Sequence, residues 1–168
     1  MTLISINAML QGDFTTPLSP GSRLEAIGKF LGVPDRWDFG IEDEFICQLG
    51  YRDFEINLRI RANLVEIERI WIGLWDSADD KPIPKPSRIR LARNKKVDLG
   101  GFTPGLPLSK AKAALDFLKL SYEEIDVNNG SEITKRLILP TNSELYFFRG
   151  NLEPVLMEIH FFVNTVDC

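Results

Sequence analysis

The chain has 168 residues, of which 44% are hydrophobic and 26% charged, and its formal net charge at pH 7 is −4. This composition is typical of a soluble globular protein with its own core, and the acidic balance argues against a nucleic-acid partner. No segment approaches the ~18 apolar residues of a membrane span, which argues against a membrane partner. Two distant cysteines, Cys47 and Cys168, and an N-terminus without a cationic signal region predict a reducing, cytoplasmic location.

The first elements follow from an apolar N-terminus and a capped helical pattern. Residues 1–12 are mostly apolar and predict a short strand or helix that docks on the first repeat, and residues 13–20 predict a loop. Ser22 and Glu25 have the spacing of a capping box, in which each side chain satisfies a backbone N–H at the helix start. Gly32 then predicts the end of this helix. The apolar face of the helix consists of Leu24, Ile27 and Leu31.

Three strands are predicted after this helix. Residues 35–44 are acidic and read as a loop, or alternatively as a contact for a basic partner. Strands follow at residues 45–51, 54–60 and 64–74. In the second of them apolar and polar residues alternate without a fault, as in a half-buried antiparallel strand. In the third the apolar positions change parity near residues 68–69, which predicts a β-bulge there.

A basic segment separates the two halves of the chain. Residues 77–106 are rich in Pro, Gly and Lys/Arg and are longer than an ordinary connection, so they predict a linker. The alternative is a nucleic-acid patch, in which cations neutralise phosphates and aromatic side chains assist by stacking on bases, but no aromatic residue occurs from 78 to 101. We therefore favour a solvated loop that offsets acidic neighbours. Residues 88–91 alternate and can add an edge strand.

The second half repeats this order with more apolar residues. Ser109 is predicted to cap a helix, and strands follow at residues 135–139, 145–148 and 155–163. The apolar face of this helix consists of Ala111, Ala114, Leu115 and Leu118.

The repetition predicts the fold class. Residues 21–74 and 107–163 each read as a helix, a loop and three strands, and a period this long with two copies indicates paired units, not a solenoid. We predict an α+β fold of two tandem helix-plus-three-stranded antiparallel β units that arose by internal duplication. They can share one continuous sheet with both helices on one face. The corresponding division is 1–76 for the N-terminal segment and repeat one, 77–106 for the linker, and 107–168 for repeat two.

Reactive side chains do not assemble into a recognisable catalytic set. His160 is the only histidine, whereas metal sites of the common types draw on several His or Cys ligands. Gly100 and Gly101 are not followed by the Lys-Ser/Thr of a phosphate-binding loop. We therefore expect no catalysis, no metal and no cofactor.

The strongest functional signal comes from strand parity. If the helices cover one sheet face, the alternate strand positions point to the other face, and here they carry large aromatics mixed with charges, as in protein interfaces. The alternatives are that the N-terminal segment or the linker covers this face, or that two sheets pack on each other. The predicted protein-binding residues are Arg69, Trp71, Trp75, Tyr146, Phe148, Glu158, His160 and Phe162. We expect Trp71, Trp75, His160 and Phe162 to be at least partly exposed.

Two short motifs carry a resemblance. Residues 20–35 (PGSRLEAIGKFLGVPD) resemble the opening of small α/β modules such as the β-lactamase-inhibitor-protein family and the small lipoproteins of outer-membrane assembly. Residues 49–56 (LGYRDFEI) are similar to a strand pair in uncharacterised bacterial proteins of the toxin-immunity type. The resemblance covers most of repeat one and only the outline of repeat two, and it implies protein binding through a concave sheet. The chain departs from these families in lacking a secretion signal, paired cysteines and a lipobox cysteine.

The sequence leaves two functional hypotheses open. The first is a bacterial protein-binding module, specifically an immunity-type inhibitor that occludes a toxin. The second is a small-molecule-binding protein or enzyme with a pocket between the two β units, lined by Trp71, Tyr146 and His160.

Overall fold

The structure is a computed structural model that describes residues 2–14, 17–19, 22–41, 45–51, 54–61, 64–74, 88–92, 95–127 and 132–162. Its helices are α1 (Ile6–Leu10), α2 (Leu24–Leu31) and α3 (Leu108–Phe117). Its strands are β1 (Thr2–Ser5), β2 (Arg36–Ile41), β3 (Phe45–Tyr51), β4 (Phe54–Arg61), β5 (Leu64–Gly73), β6 (Arg88–Ala92), β7 (Lys95–Asp98), β8 (Glu123–Asp126), β9 (Ile133–Leu139), β10 (Ser143–Phe148) and β11 (Val155–Phe162).

Most of these strands form one large antiparallel sheet. Its order is β2-β3-β4-β5-β11-β10-β9-β8, and a smaller sheet has the order β1-β7-β6. The predicted α+β fold of two helix-plus-three-stranded units is therefore wrong, because the described chain is mostly β and each half of the large sheet contributes four strands. The two halves meet where β5 pairs with β11.

The two strands of the large sheet that the sequence did not predict are its edges, and β7 of the smaller sheet, within the predicted linker, was not predicted either. β2 lies within the acidic residues 35–44, which read as a loop, and β8 was not predicted. An edge strand pairs on one side only and tolerates charged side chains, so its pattern lacks the apolar run of an inner strand. Across the β8–β9 pair, Lys135 Nζ lies 2.9 Å from Glu124 Oε1 and 2.6 Å from Asp126 Oδ1.

Predictions for the inner strands agree with the structure more closely. The register between β4 and β5 shifts so that Asn57 pairs with Arg69 and Leu58 with Ile67, which leaves Glu68 as the extra residue. The bulge predicted near residues 68–69 is confirmed. The edge strand predicted at 88–91 is also confirmed, as β6 at the edge of the smaller sheet.

Both predicted helix caps are wrong. The residue that precedes α2 is Arg23, which makes no side-chain cap bond, and Ser22 Oγ instead lies 3.3 Å from Ser19 Oγ. α3 begins one residue before Ser109, whose N and Oγ both donate to the Glu153 carboxylate at 2.9 Å. The capping oxygens of α3 thus come from the segment before β11, which local sequence spacing cannot reveal.

The N-terminal segment packs on the second half of the large sheet. β1 pairs in parallel with β7, and α1 follows it directly. Thr141 Oγ1 donates to the Leu10 carbonyl at 2.9 Å, and the Phe14 ring packs edge-on against Phe161 at 6.2 Å between centroids. The prediction that this segment docks on repeat one missed these contacts, because apolar character alone does not choose a partner surface.

One core lies on one face of the large sheet. A single cluster of buried residues includes side chains from all three helices, from β1 and β7, and from one face of the large sheet. A row of directly paired core residues crosses six strands and consists of Tyr51, Phe54, Ile72, Ile159, Leu145 and Leu137. Each is at most 1% exposed. We call the opposite side of this sheet the distal face.

The cap on α3 gives a test of the fold. Glu153→Ala should lower the free energy of unfolding by about 1 kcal/mol, because the first turn of α3 loses its capping carboxylate. Urea unfolding followed by circular dichroism measures this change. Glu132→Ala, which removes another exposed carboxylate of the second half, is the control. An equal loss in both variants would show that the cap contributes nothing.

Candidate interaction surface on the distal face

The register brings the predicted binding residues together on the distal face. Direct pairs join Trp71 to His160, Arg69 to Phe162 and Tyr146 to Glu158. Directly paired residues share a sheet face, so the pairing of β11 with β5 and with β10 assembles these six side chains. Phe148 follows on the same face of β10 by alternation. Trp75 lies outside the described residues.

His160 is the centre of an aromatic cluster formed with Trp71, Tyr146 and Phe162. Its ring centroid lies 4.4 Å from that of Tyr146, 5.9 Å from Trp71 and 6.2 Å from Phe162. Trp71, Tyr146 and Phe162 are half-buried, but His160 is only 8% exposed. The expectation of partial exposure is therefore wrong for His160, because the rings beside it on three strands shield the imidazole.

A charged group supports the cluster from β9 and β10. Tyr146 OH donates to Glu144 Oε2 at 2.6 Å, and Arg136 Nη1 lies 3.2 Å from the same oxygen. The Arg136 guanidinium also lies over the Tyr146 ring, 5.9 Å from its centroid. Burial, and then the hydrogen bond to Glu144, raise the pKa of Tyr146 to about 12 against the opposing effect of Arg136. Tyr146 is thus held as a neutral donor.

Two buried nitrogens of the cluster have no partner among the described residues. Trp71 Nε1 and His160 Nδ1 are shielded from solvent and have no hydrogen-bond partner in the described chain. His160 Nε2 lies 3.1 Å from Glu158 Oε2, and since a carboxylate only accepts, this geometry assigns the proton of a neutral ring to Nε2. Trp71 Nε1 is then an unused donor and His160 Nδ1 an unused acceptor. Each unmade bond costs about 1–3 kcal/mol.

On the β2 side the distal face is polar and internally paired. Glu55 is only 5% exposed; it forms an ion pair with Arg36 and accepts a hydrogen bond from Gln48 Nε2. Gly50 lies between Arg36 and Glu55 in the strand register, so the absence of a side chain there lets Arg36 cross β3. The ion pair offsets the desolvation of the buried carboxylate.

A second polar pair adjoins the aromatic cluster. With the Asn57 amide oriented so that its oxygen faces Arg69, that oxygen accepts from Nε at 2.9 Å and from Nη2 at 2.5 Å. Asn57 is 5% exposed. The paired amide fixes the guanidinium of Arg69 next to Phe162, its neighbour in the register.

The polar half of this surface was not predicted from the sequence. Glu55, Asn57, Arg136 and Glu144 were not among the predicted residues, although the alternation in β4 already separates Glu55 and Asn57 from the core positions. Arg136 and Glu144 required the β9–β10 register, which pairs Arg136 with Tyr146.

The described residues give little support to a metal site, a reactive thiol or a pocket between two sheets. Among them, no group of three His, Cys, Asp or Glu side chains could hold a metal ion. Cys47 is a buried core residue on the face opposite His160, and burial raises the pKa of its thiol. Trp71, Tyr146 and His160 lie side by side on one sheet, not between two sheets as the pocket hypothesis supposed. No described helix has the length and apolar character to cross a membrane.

Comparison of the chain with protein-family models, with curated protein sequences and with solved structures gave no match.

The Tyr146–Glu144 bond predicts a pH-dependent stability difference. Tyr146→Phe should lower the free energy of unfolding by about 1 kcal/mol near neutral pH, because the bond is lost. The pKa of Tyr146 is raised from 10.0 to about 12 in the folded protein. As pH rises above 10.0, the Tyr146 hydroxyl therefore loses its proton in the unfolded state before it does so in the folded state. The stability advantage of the wild type over the Tyr146→Phe variant should shrink accordingly.

Urea unfolding of both proteins at about pH 8 and about pH 11 measures this difference. Burial also raises the pKa of Tyr51, but Tyr51 is present in both proteins and its contribution cancels. An advantage that stays constant or grows at the higher pH would contradict the assignment.

Gly50 and Gly73 form a matched pair for testing the Arg36–Glu55 interaction. A Cβ at Gly50 would lie 3.3 Å from Arg36 Cβ and 3.4 Å from its Nε, whereas a Cβ at Gly73 would meet nothing within 4 Å. Gly50→Ala should therefore displace Arg36 from Glu55 and destabilise the protein by about 1 kcal/mol. Gly73→Ala should be neutral or stabilising by about 0.5–1 kcal/mol. Thermal unfolding of both variants measures these changes in stability. Equal effects would contradict the expectation that a Cβ at position 50 displaces Arg36.

Proposed function

We propose that this chain is a bacterial, cytoplasmic protein-binding module, specifically an immunity-type inhibitor that occludes a partner protein with the distal face of its large sheet. The observation that carries the proposal is the aromatic cluster at the β5–β11 junction. It lies opposite the face on which all three helices pack. Trp and Tyr side chains in such positions are the usual anchors of protein interfaces.

The surroundings of the cluster suit a specific interface. Half-buried Trp71, Tyr146 and Phe162 offer apolar area, while Glu158 and Arg69 add charges beside them. Glu144 and Arg69 are already oriented by Arg136 and Asn57, so little side-chain entropy remains to be lost on binding. A partly preorganised surface of this kind favours recognition by shape and charge.

Inhibition by occlusion requires complementary surface and no reactive group on the inhibitor. The polar groups of the distal face are consistent with this role, because Glu55 and Asn57 are each satisfied by neighbours within the sheet.

The test uses two tryptophans of one chain. Trp71→Ala should weaken binding to the partner by about 2 kcal/mol or more, roughly thirtyfold in Kd. Its folding stability should fall by less than the ~3–5 kcal/mol typical of a fully buried Trp, because Trp71 is half-buried. Trp37→Ala is the matched control, since Trp37 is 64% exposed on the edge strand β2 and should leave binding unchanged.

The partner is first identified by co-expression with the product of the neighbouring gene in the native host and co-purification. Calorimetry then gives Kd for the wild type and both variants, and an activity assay of the partner measures occlusion. Equal binding by the wild type and a folded Trp71→Ala variant would refute the role of the distal face.

A further inference from the structure

The two unsatisfied nitrogens at the centre of the aromatic cluster differ in chemical character. Trp71 Nε1 can only donate, whereas His160 Nδ1 accepts in the tautomer that Glu158 favours. Trp71 and His160 are directly paired across β5 and β11, and their ring centroids are 5.9 Å apart. Because the indole N–H can only donate and the imidazole nitrogen accepts, the two neighbouring rings together offer the complement of a group that presents both an acceptor and a donor.

We propose that Trp71 Nε1 and His160 Nδ1 together bind a primary carboxamide, the side chain of an Asn or Gln residue of the partner protein. The amide oxygen accepts from the indole N–H, and the amide NH₂ donates to the imidazole nitrogen. This deepens the proposed function by naming the group recognised, and it rests on that function for the source of the amide.

Charge and hydrogen-bonding character separate a carboxamide from a carboxylate and from an ammonium group. A carboxylate has no proton for His160 Nδ1 and would approach the carboxylates of Glu158 and Glu144. An ammonium group has no acceptor for Trp71 Nε1. A neutral amide carries both the acceptor that Trp71 Nε1 requires and the donor that His160 Nδ1 requires.

The site opens by movement of side chains at its rim. Both nitrogens are shielded from solvent, but Trp71, Tyr146 and Phe162 are half-buried and border solvent. For a small planar group to reach the two nitrogens, at least one of these rings must rotate. The two hydrogen bonds would then satisfy nitrogens that have no partner in the part of the chain that the structure describes.

NMR spectroscopy of the intact chain tests the proposal with propionamide as the probe. His160 is the only histidine and the chain has three tryptophans, so the imidazole signals are unambiguous and the Trp71 indole signal can be assigned with Trp71→Phe. Propionamide should shift the Trp71 indole N–H and His160 Nδ1 signals saturably. Trp71→Phe, which keeps a ring but loses the donor, should weaken this binding about fivefold, as expected for one hydrogen bond.

Propionate and propylammonium of the same size are the control probes, and the indole signal of Trp37 is the internal control. The proposal is overturned if propionamide leaves both signals unmoved, if all three probes shift them equally, or if the imidazole spectrum places the proton on Nδ1. If Trp71→Phe does not fold, the comparison of the three probes on the wild type still shows whether the site prefers a carboxamide.

Failure here is distinguishable from failure of the proposed function. If propionamide does not bind but Trp71→Ala still abolishes binding of the protein partner, the interface stands and the carboxamide site is wrong. If propionamide binds and the partner is unaffected by Trp71→Ala, the site takes free amides and the interface lies elsewhere.

Discussion

The antiparallel pairing of β5 with β11 is the constraint on which the rest of the structure depends. It joins two four-stranded meanders into one sheet and sets the register on both faces at once. On the core face it places Ile72 beside Ile159, within a row of buried side chains that crosses six strands. On the distal face the same register places Trp71 beside His160. A slip of one residue would exchange the two faces, so burial of the core row fixes the aromatic cluster as well.

The distal face carries polar groups that are nearly as buried as the core. Glu55, Asn57 and His160 are between 5% and 8% exposed, and a buried polar group destabilises a protein unless it is paired. Glu55 and Asn57 are paired within the sheet, by Arg36 and Gln48 and by Arg69. In the aromatic cluster, however, Trp71 Nε1 and His160 Nδ1 lack partners in the described chain. The two unsatisfied nitrogens of the cluster are the basis of the proposal that an external group binds there.

Secondary structure could be predicted from the sequence where burial imposes a regular pattern. The alternation of β4, the parity change that marks the bulge at Glu68, and the helix end at Gly32, whose φ is 89°, all depend on neighbours in the chain. The edge strands β2 and β8 were missed because pairing on one side leaves their composition free to be charged. Neither cap could be read from spacing, and for α3 the capping carboxylate belongs to Glu153, 44 residues away.

The sequence by itself determined that the alternate positions of β5, β10 and β11 carry Trp71, Tyr146, His160 and Phe162, because strand periodicity is a local property. Only the tertiary structure decided that these strands are neighbours, that Arg136, Glu144 and Glu158 surround the cluster, and that His160 is buried at its centre. The same holds for the packing of the N-terminal segment beside Thr141 and Phe161. Strand order and register depend on how much apolar surface distant segments bury when they pack together. A local sequence pattern does not indicate which distant strand would bury the most apolar surface.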